Sequence, residues 1–255
     1  MENRQVRNIA HRGASAYAPE NTVEAFEEAI VRNADMIEFD LRRTSDGVIV
    51  VYHDSHIDLA DGSKQAVSRM TYSELAEYTG QAGFKLATFE RVLSDFGPRI
   101  AMNIEFKIGG FERELIKMLK SSPPEFRPVI SSFKPQIIRQ IKRIDPSALT
   151  GLVVGSRVSG AVRFLTKPLV RNLFSGTQYD SIHLHKELAS SEIIDGLLDS
   201  GFSVYVWTVN EPDLIATLIS YGVTGIISDV PDVVHSICHG KAVKVRASRS
   251  VKEHS

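Results

Sequence analysis

The sequence predicts a single (β/α)8 barrel, the TIM-barrel architecture, with a small insertion after its second strand. Short strand-like runs alternate with helical patterns from residue 6 to residue 240, in eight successive units. Strands that alternate with helices form parallel sheets, and eight units in about 240 residues suit a closed barrel. An open, doubly wound sheet is the alternative, but the chain lacks a glycine-rich first turn and a break between two domains.

The predicted barrel strands are short runs rich in apolar residues. In chain order they are Val6–His11, Met36–Thr44, Ile100–Lys107, Pro128–Ser132, Leu149–Gly155, Tyr179–Lys186, Ser203–Val209 and Thr224–Ser228. Residues 46–98 separate the second strand from the third, and we expect the insertion near residues 55–85. The barrel is therefore expected to occupy residues 1–240 as one catalytic domain.

Helical periodicity follows each strand. The predicted helices are Asn21–Asn33, Phe111–Ser121, Lys134–Ile144, Ala161–Phe174, Ser190–Ser200, Glu211–Tyr221 and Asp232–His239. Asn21 and Thr22, followed by Glu24, can cap the first of them, and Asn21 is the first choice, because such side chains accept hydrogen bonds from the free N–H groups of a helix start. Gly201 and Gly222 stand where a left-handed residue ends a helix.

Composition excludes several classes of protein. The 255 residues are 43% hydrophobic and 24% charged, as in a globular domain, and no run approaches the roughly 18 apolar residues of a membrane span. The first residues lack the apolar segment of a secretory signal, and the lone Cys238 excludes a disulfide framework. These features predict a cytoplasmic protein. The formal charge of −1 disfavours a basic nucleic-acid-binding protein.

The charge is unevenly distributed along the chain. Residues 241–255, KAVKVRASRSVKEHS, hold five Lys or Arg against one Glu, so residues 1–240 carry 25 positive and 30 negative charges, a net −5. The last fifteen residues have no apolar periodicity. We expect them to form a basic, disordered tail, with an arm that binds an anionic surface as the alternative.

Charged side chains gather near the carboxyl ends of three predicted strands, where barrel enzymes place their active sites. Residues two apart on a strand share a face, so neighbouring acids and bases should point the same way. The set comprises His11 and Arg12 on the first strand, Glu38 and Asp40 on the second, and Asn103, Glu105 and Lys107 on the third. Solvated charges on half-buried strands are the alternative interpretation.

A hairpin signal adds a second histidine. Asp46-Gly47 is typical of a two-residue type I′ turn, which pairs Ser45 with Val48 and places Asp40 directly opposite His53. A one-residue slip would turn His53 to the other face.

These residue types together indicate phosphoester hydrolysis. Three carboxylates without a thiolate favour a hard cation, Mg²⁺ or Ca²⁺, over structural zinc. Two histidines suit general acid and base catalysis, and Arg12 with Lys107 supplies positive charge for an anionic group. A metal-dependent sugar isomerase is the competing interpretation, but it leaves these two cations and the His53 hairpin without a role.

The motifs resemble a known family. Residues 11–54, HRGASAYAPENTVEAFEEAIVRNADMIEFDLRRTSDGVIVVYHD, resemble the signature of glycerophosphodiester phosphodiesterases, in which HRG, PENT, AF, IExD, TxDG and HD follow in that order. The resemblance continues in LATFERVL (86–93), N-x-E-x-K (103–107), SSF (131–133), VYVWTVN (204–210) and ISDVPD (227–232). It spans about residues 8–236 and leaves out only the basic tail.

The resemblance implies hydrolysis of glycerophosphodiesters to sn-glycerol 3-phosphate and an alcohol. Glu38, Asp40 and Glu105 would hold the divalent cation, for which Mg²⁺, Ca²⁺ and Mn²⁺ are candidates. His11 and His53 would be the catalytic acid–base pair. The substrate would contact Arg12 and Lys107 at its phosphate, and Glu20 and Trp207 at the pocket rim and wall.

Some questions stay open at this level. Lysophospholipids or another phosphodiester are alternative substrates, although the chain has no long apolar loops for them. A non-catalytic binding protein would have lost a histidine or carboxylate, and none is lost. His183 and His185 share one side of the sixth predicted strand, as core residues or substrate contacts. A small-molecule substrate is the only partner expected, and a homo-oligomer is left open.

Overall fold

A computed structural model of the chain describes residues 6–59, 62–156 and 179–240. Its strands, in chain order, are β1 (Arg7–Ala10), β2 (Met36–Arg43), β3 (Ile49–Val51), β4 (His56–Asp58), β5 (Lys64–Ala66), β6 (Ala87–Thr88), β7 (Ala101–Phe106), β8 (Val129–Ser132), β9 (Leu149–Val154), β10 (Ser181–His185), β11 (Ser203–Trp207) and β12 (Gly225–Ser228). Eight of them are parallel and close in the order β1-β12-β11-β10-β9-β8-β7-β2, with β2 pairing back to β1. The predicted (β/α)8 barrel is confirmed, and its strands begin and end within two residues of the predicted runs.

The described helices follow the strands in the expected alternation. They are α1 (Val23–Val31), α2 (Tyr72–Gln81), α3 (Phe89–Phe96), α4 (Glu112–Ser121), α5 (Pro135–Ile144), α6 (Ser191–Asp199), α7 (Pro212–Ser220) and α8 (Pro231–Cys238). The helix predicted over 161–174 and the basic tail at 241–255 lie outside the described residues. Among the described helices none is long and apolar enough to span a bilayer.

The core has two parts, one inside the barrel and one between the barrel and its helices. Ile9, Met36, Val129, Tyr205 and Ile227 form a buried apolar cluster of inward-facing side chains. Larger clusters pack the outer faces of the strands against the helices, with buried phenylalanines such as those of α1 and α3 in contact at ring edges. Because the strands are fixed from both sides, their carboxyl ends provide a rigid frame for side chains.

Between β2 and β7 the chain forms an additional small substructure. A two-stranded sheet (β4 and β5) and α2 pack on a separate apolar cluster that includes Val50, Ile57, Met70 and Leu75. Thr71 caps α2 in a reciprocal capping box with Glu74. These elements occupy the segment where the insertion is expected.

The register of the β2–β3 hairpin differs from the prediction by one residue. Leu41 pairs with Val51, which places Asp40 opposite Tyr52 and not opposite His53. The reason is the turn: Thr44 pairs with Val48 across a three-residue loop in which Gly47 adopts φ +92°. A left-handed glycine at the end of a type I turn is the usual three-residue hairpin, and it adds one residue to the predicted loop. The predicted pairing of Asp40 with His53 is therefore wrong.

Candidate active site

Three buried carboxylates converge at the carboxyl ends of β2 and β7. Oxygen atoms of Glu38, Asp40 and Glu105 all lie within 4.8 Å of one another. The parallel register aligns Asp40 with Glu105, and both strands turn these residues into the barrel. Three acids this close repel one another unless cations or protons compensate their charge.

Two cationic side chains partly compensate this charge. Lys107 Nζ lies 2.8 Å from Asp40 Oδ1 and 2.5 Å from Glu105 Oε1. Arg12 places its Nε 3.3 Å from Asp40 Oδ2, while its Nη1 donates to both carboxylate oxygens of Glu20 at 2.8 Å. Glu20 is half exposed, so the guanidinium of Arg12 extends from the buried acids to the rim of the site.

A cavity of about 100 Å³ opens beside these groups at the barrel mouth. The structure brings most of the predicted site residues to its wall. They are His11, Arg12, Glu38, His53, Glu105, Lys107 and Trp207, joined by Phe133. Asp40 and Glu20 lie behind this wall, in contact with Arg12.

His53 reaches the cavity in spite of the changed register. It lies two residues beyond β3, where ladder pairing no longer decides the direction of the side chain. The guanidinium of Arg42 donates to the His53 carbonyl from Nε (2.8 Å) and Nη2 (2.5 Å), which fixes this segment. The His53 ring bonds to Asp54 through Nδ1 at 2.8 Å.

The carboxylates differ in their protonation. Burial and the nearby negative charge of Asp40 raise the pKa of Glu38 to about 8. Burial also raises the pKa of Glu105. For Asp40 burial acts in the same direction, but Lys107 and Arg12 outweigh it and lower its pKa. Without a further cation, the triad thus favours one ionised acid beside acids that retain protons at higher pH.

The two histidines also differ. Burial opposes the charged form of His11, but the hydrogen bond to Asp229 and the charge of Glu38 outweigh it, so its pKa is raised. Burial lowers the pKa of His53, against the opposing influence of Asp40. The site therefore favours the protonated form of His11 and the neutral form of His53.

The side chains of β10 and β11 complete the wall. Trp207 is partly buried, donates from Nε1 to the His183 carbonyl (3.1 Å), and meets Phe133 and His185 edge to face. His183 is fully buried, and burial lowers its pKa to about 3. His183 and Ser181 share a hydrogen bond of 2.9 Å at Nε2, so the ring is a neutral core residue that also lines the cavity.

The close packing of His183 requires a glycine on the neighbouring strand. A Cβ at Gly151 would lie 2.4 Å from His183 Nε2 and 2.7 Å from Ser181 Oγ. His185, in contrast, lies at the barrel mouth against Trp207. The side predicted for the two histidines is consistent with His183 on the cavity wall. The two rings differ in burial: that of His183 is fully buried and that of His185 is mostly buried.

Asn21 is not the N-cap of α1, so this prediction is wrong. Thr22, and not Asn21, caps α1 by accepting from the Ala25 N–H. Asn21 adopts φ +60° and donates from Nδ2 to Asp40 Oδ2 (2.9 Å), while its Oδ1 accepts from the Asp40 N–H (3.1 Å). The amide thus holds Asp40 in place, because the left-handed conformation turns it away from the helix start.

Sequence reasoning gave Asp229 no role, although its motif was noted. The carboxylate follows β12 and lies 2.7 Å from His11 Nδ1. Its hydrogen bonds with His11, Ser15 and Asn210 lower its pKa to about 2, against the effect of burial. An acid at the carboxyl end of the last barrel strand, beside the first, is the signal that could have found it.

The donor set suits a hard divalent cation. Three carboxylates supply oxygen ligands only, as Mg²⁺ and Ca²⁺ prefer. The buried Asn103 Oδ1, in the cavity wall beside Glu38 on the next strand, has no hydrogen-bond partner among the described residues. An unsatisfied buried oxygen next to three acids is a feature that a bound cation or its water ligands would satisfy.

A larger crevice lies elsewhere among the described residues and has a different character. About 580 Å³ in volume, it lies between the start of α1 and α2 and includes Glu24, Tyr72 and Lys85 in its lining. It contains neither a histidine nor a pair of acids. The small cavity at the barrel mouth is therefore the candidate active site.

Comparisons with known proteins identify the family of this chain. The model of the Glycerophosphoryl diester phosphodiesterase family matches residues 11–233. A glycerophosphodiester phosphodiesterase of Caldanaerobacter subterraneus subsp. tengcongensis is 31% identical over 241 residues, covering 89% of this chain and 95% of its own. A human lysophospholipase D is 24% identical over 274 residues, covering 91% of this chain and 86% of its own.

The fold is also shared with a solved structure. A phosphodiesterase of Oleispira antarctica in complex with the product sn-glycerol-3-phosphate superposes with a TM-score of 0.75 at 23% identity, over 91% of this chain and 96% of that chain. The family match includes the strand ends that carry His11, Glu38, Asp40, His53 and Glu105. The chain belongs to the glycerophosphoryl diester phosphodiesterase family.

Proposed function

We propose that this protein hydrolyses glycerophosphodiesters to sn-glycerol 3-phosphate and an alcohol, with a divalent cation and two histidines. The observation that carries the proposal is the convergence on one 100 Å³ cavity of acids, histidines and cations from different strands. That combination suits phosphoester cleavage, which needs charge neutralisation and two proton transfers. It is harder to reconcile with a sugar isomerase, whose substrates lack the anionic group that Arg12 and Lys107 would meet.

Glu38, Asp40 and Glu105 are the residues that would hold the cation, with Asn103 Oδ1 nearby. When bound, the cation would polarise the phosphoryl group and lower the pKa of a coordinated hydroxyl. Candidates are Mg²⁺, Ca²⁺ and Mn²⁺, since all accept oxygen ligands.

The protein's own residues would bind the phosphate and move the protons. Arg12 and Lys107 are the cations nearest the acids, and both would supply positive charge to the phosphate of a bound substrate. His53, with its lowered pKa, is suited to accept the proton of the attacking group. That group is water in direct hydrolysis; if a glycerol hydroxyl attacks first, a cyclic phosphate forms and water then opens it to glycerol 3-phosphate. His11, protonated through Asp229, is suited to donate a proton to the leaving alcohol. Trp207 and Phe133 would pack against the organic part of the substrate.

The relatives support the substrate class. The relative from C. subterraneus is named for glycerophosphodiesters, and the O. antarctica phosphodiesterase was solved with sn-glycerol-3-phosphate. The human relative is named for lysophospholipids, which are the main alternative. A small, charged cavity favours a water-soluble diester, and a cytoplasmic location fits such a substrate.

The test is a coupled assay for glycerol 3-phosphate released from glycerophosphocholine. We expect activity with Mg²⁺, Ca²⁺ or Mn²⁺, loss of activity in chelator, and a fall of roughly 10²- to 10⁴-fold in His11→Ala and His53→Ala. His56→Ala, an exposed histidine outside the site, is the matched control. Full activity in chelator or in either site variant would contradict the mechanism.

A substrate panel separates the alternatives. Glycerophosphocholine, glycerophosphoethanolamine and lysophosphatidylcholine are compared at equal concentration in each cation. We expect the two water-soluble diesters to be cleaved faster. A preference for lysophosphatidylcholine would overturn the substrate assignment and leave the phosphodiesterase chemistry in place.

A further inference from the structure

The runs VYVWTVN (204–210) and ISDVPD (227–232) contain polar residues that the proposed chemistry leaves without a role. Two of them, Asn210 and Asp229, meet at the seam where β12 lies beside β1. The Asp229 carboxylate accepts from Asn210 Nδ2 (2.6 Å) and Ser15 Oγ (2.8 Å) and lies 2.7 Å from His11 Nδ1. It is therefore surrounded by donors from the chain segments after β1 and β11.

The network determines which group holds each proton. Asn210 Oδ1 accepts from the Asp229 N–H (2.9 Å) and from Ser228 Oγ (3.0 Å), so its amide cannot flip without losing both bonds. Its Nδ2 must then donate to Asp229 Oδ2, while Ser15 Oγ donates to Oδ1, which also faces His11 Nδ1. An ionised acid has acceptor sites only, so His11 Nδ1 has to carry a proton in order to bond to it.

We infer that Asp229, oriented by Asn210 and Ser15, is the positioning residue of His11: it holds the proton on Nδ1 and leaves Nε2 for the substrate. A carboxylate in this position fixes the tautomer and the rotation of an imidazole, as in other acid–histidine pairs. The effect of Asp229 on kcat rests on the proposed function, whereas its effect on the tautomer of His11 does not.

An amide cannot replace this carboxylate. In Asp229→Asn, one side-chain oxygen becomes an NH₂ group that faces either Asn210 Nδ2 or the pair of His11 and Ser15, so two donors oppose each other. The His11 ring then loses its acceptor or rotates, although the volume of the residue is unchanged. If only the shape of the side chain mattered, Asp229→Asn would leave the activity unchanged.

The kinetic test compares Asp229→Asn with Asp232→Asn, an exposed acid three residues later that bonds Tyr17 and pairs with Arg32. We expect Asp229→Asn to lower kcat by roughly 100- to 10,000-fold, with KM changed far less, and to move the alkaline limb of the pH–rate profile to lower pH. Asp232→Asn should match the wild type. If Asp229→Asn retained the kcat and pH profile of Asp232→Asn, the inference would be overturned.

A spectroscopic test needs no activity and no Asp229 variant. In ¹⁵N-histidine-labelled wild-type protein, at an alkaline pH where the His11 ring has lost one of its two protons, His11, identified by its absence in His11→Ala, should still show a protonated Nδ1 in a strong hydrogen bond. A His11 signal with an unprotonated Nδ1 would overturn the inference. Wild-type protein that released no glycerol 3-phosphate would contradict the proposed function, while this spectrum would still decide the role of Asp229.

Discussion

At the scale of single residues, the environments of His11 and His53 shift their pKa values in opposite directions, which suits the proton transfers that we propose for them. The groups that face His11 are Asp229, Glu38, Glu105 and Arg12, and the hydrogen bond to Asp229 is the largest influence that raises its pKa. His53 has its pKa lowered, chiefly by burial. A general acid must start protonated and a general base must start neutral. The raised pKa of His11 and the lowered pKa of His53 favour these two forms.

This division predicts the pH dependence of kcat/KM. Activity should rise with pH through the lowered pKa of His53, below 6.5, and fall as pH rises through the raised pKa of His11, above 6.5. The residual activity of His53→Ala should lose the acid limb, and that of His11→Ala the alkaline limb. Initial rates from pH 5 to pH 9 in a constant-ionic-strength buffer provide the measurement. Loss of the opposite limb in either variant would reverse the assigned roles.

Residue types and spacing could predict the acids, cations and histidines of this site, because their positions follow from strand ends and period-two alternation. The same patterns could not predict the neighbouring residues that hold these side chains in position. Asn21 looks like a helix cap from its neighbours, and only its left-handed backbone turns it to Asp40. Asp229 meets His11 across 218 positions of chain, a contact that depends on barrel closure.

At the scale of elements, the predicted register of the β2–β3 hairpin is wrong by one residue, yet His53 still lies at the cavity. The Asp-Gly signal predicts a hairpin, but the choice between a two- and a three-residue loop depends on the preceding Thr44, whose Oγ1 accepts from the Val48 N–H (3.1 Å). His53 lies past the end of β3 and is positioned by Arg42. The pairing of β2 with β3 therefore brings His53 to the barrel mouth but does not determine the orientation of its side chain.

The hairpin predicts a specific role for Arg42. Replacing it by Met removes both hydrogen bonds to the His53 carbonyl but keeps an apolar side chain along the strand. We expect kcat to fall roughly 10- to 100-fold, because small displacements of a catalytic group are costly. Arg43→Met is the matched control, since that residue pairs with Glu114 on the surface. Equal kcat values in the two variants would show that Arg42 does not position His53.

At the scale of the whole molecule, the charge near zero conceals an acidic body. Residues 1–240 carry a net charge of −5, and their three most buried neighbouring acids lie beside the place where an anionic substrate would bind. Such a site repels a phosphate until positive charge is added. A divalent cation among Glu38, Asp40 and Glu105 removes this conflict and offsets the mutual repulsion of the acids.

This balance predicts that cation binding stabilises the fold, and more so at higher pH. In the cation-free protein burial and Asp40 raise the pKa of Glu38 to about 8, so between its unfolded value of 4.5 and about 8 the folded state binds more protons than the unfolded state. The free energy of unfolding contributed by Glu38 therefore falls as pH rises through this window, by at least about 1 kcal/mol. Cation binding needs the ionised carboxylate, so affinity rises over the same range.

The measurement is the difference in Tm between protein in Mg²⁺, Ca²⁺ or Mn²⁺ and protein in chelator, at pH 6 and at pH 8.5. A cation at 100 times its Kd adds about 2.7 kcal/mol, and we expect the difference in Tm to widen at the higher pH. Glu38→Gln, which keeps the shape but cannot ionise, should reduce both the difference and its pH dependence, and Glu105, whose pKa is also raised, should account for the remainder. A Tm unaffected by all three cations at both pH values would show that the acidic triad is not a cation site, since ligands that bind the folded state must stabilise it.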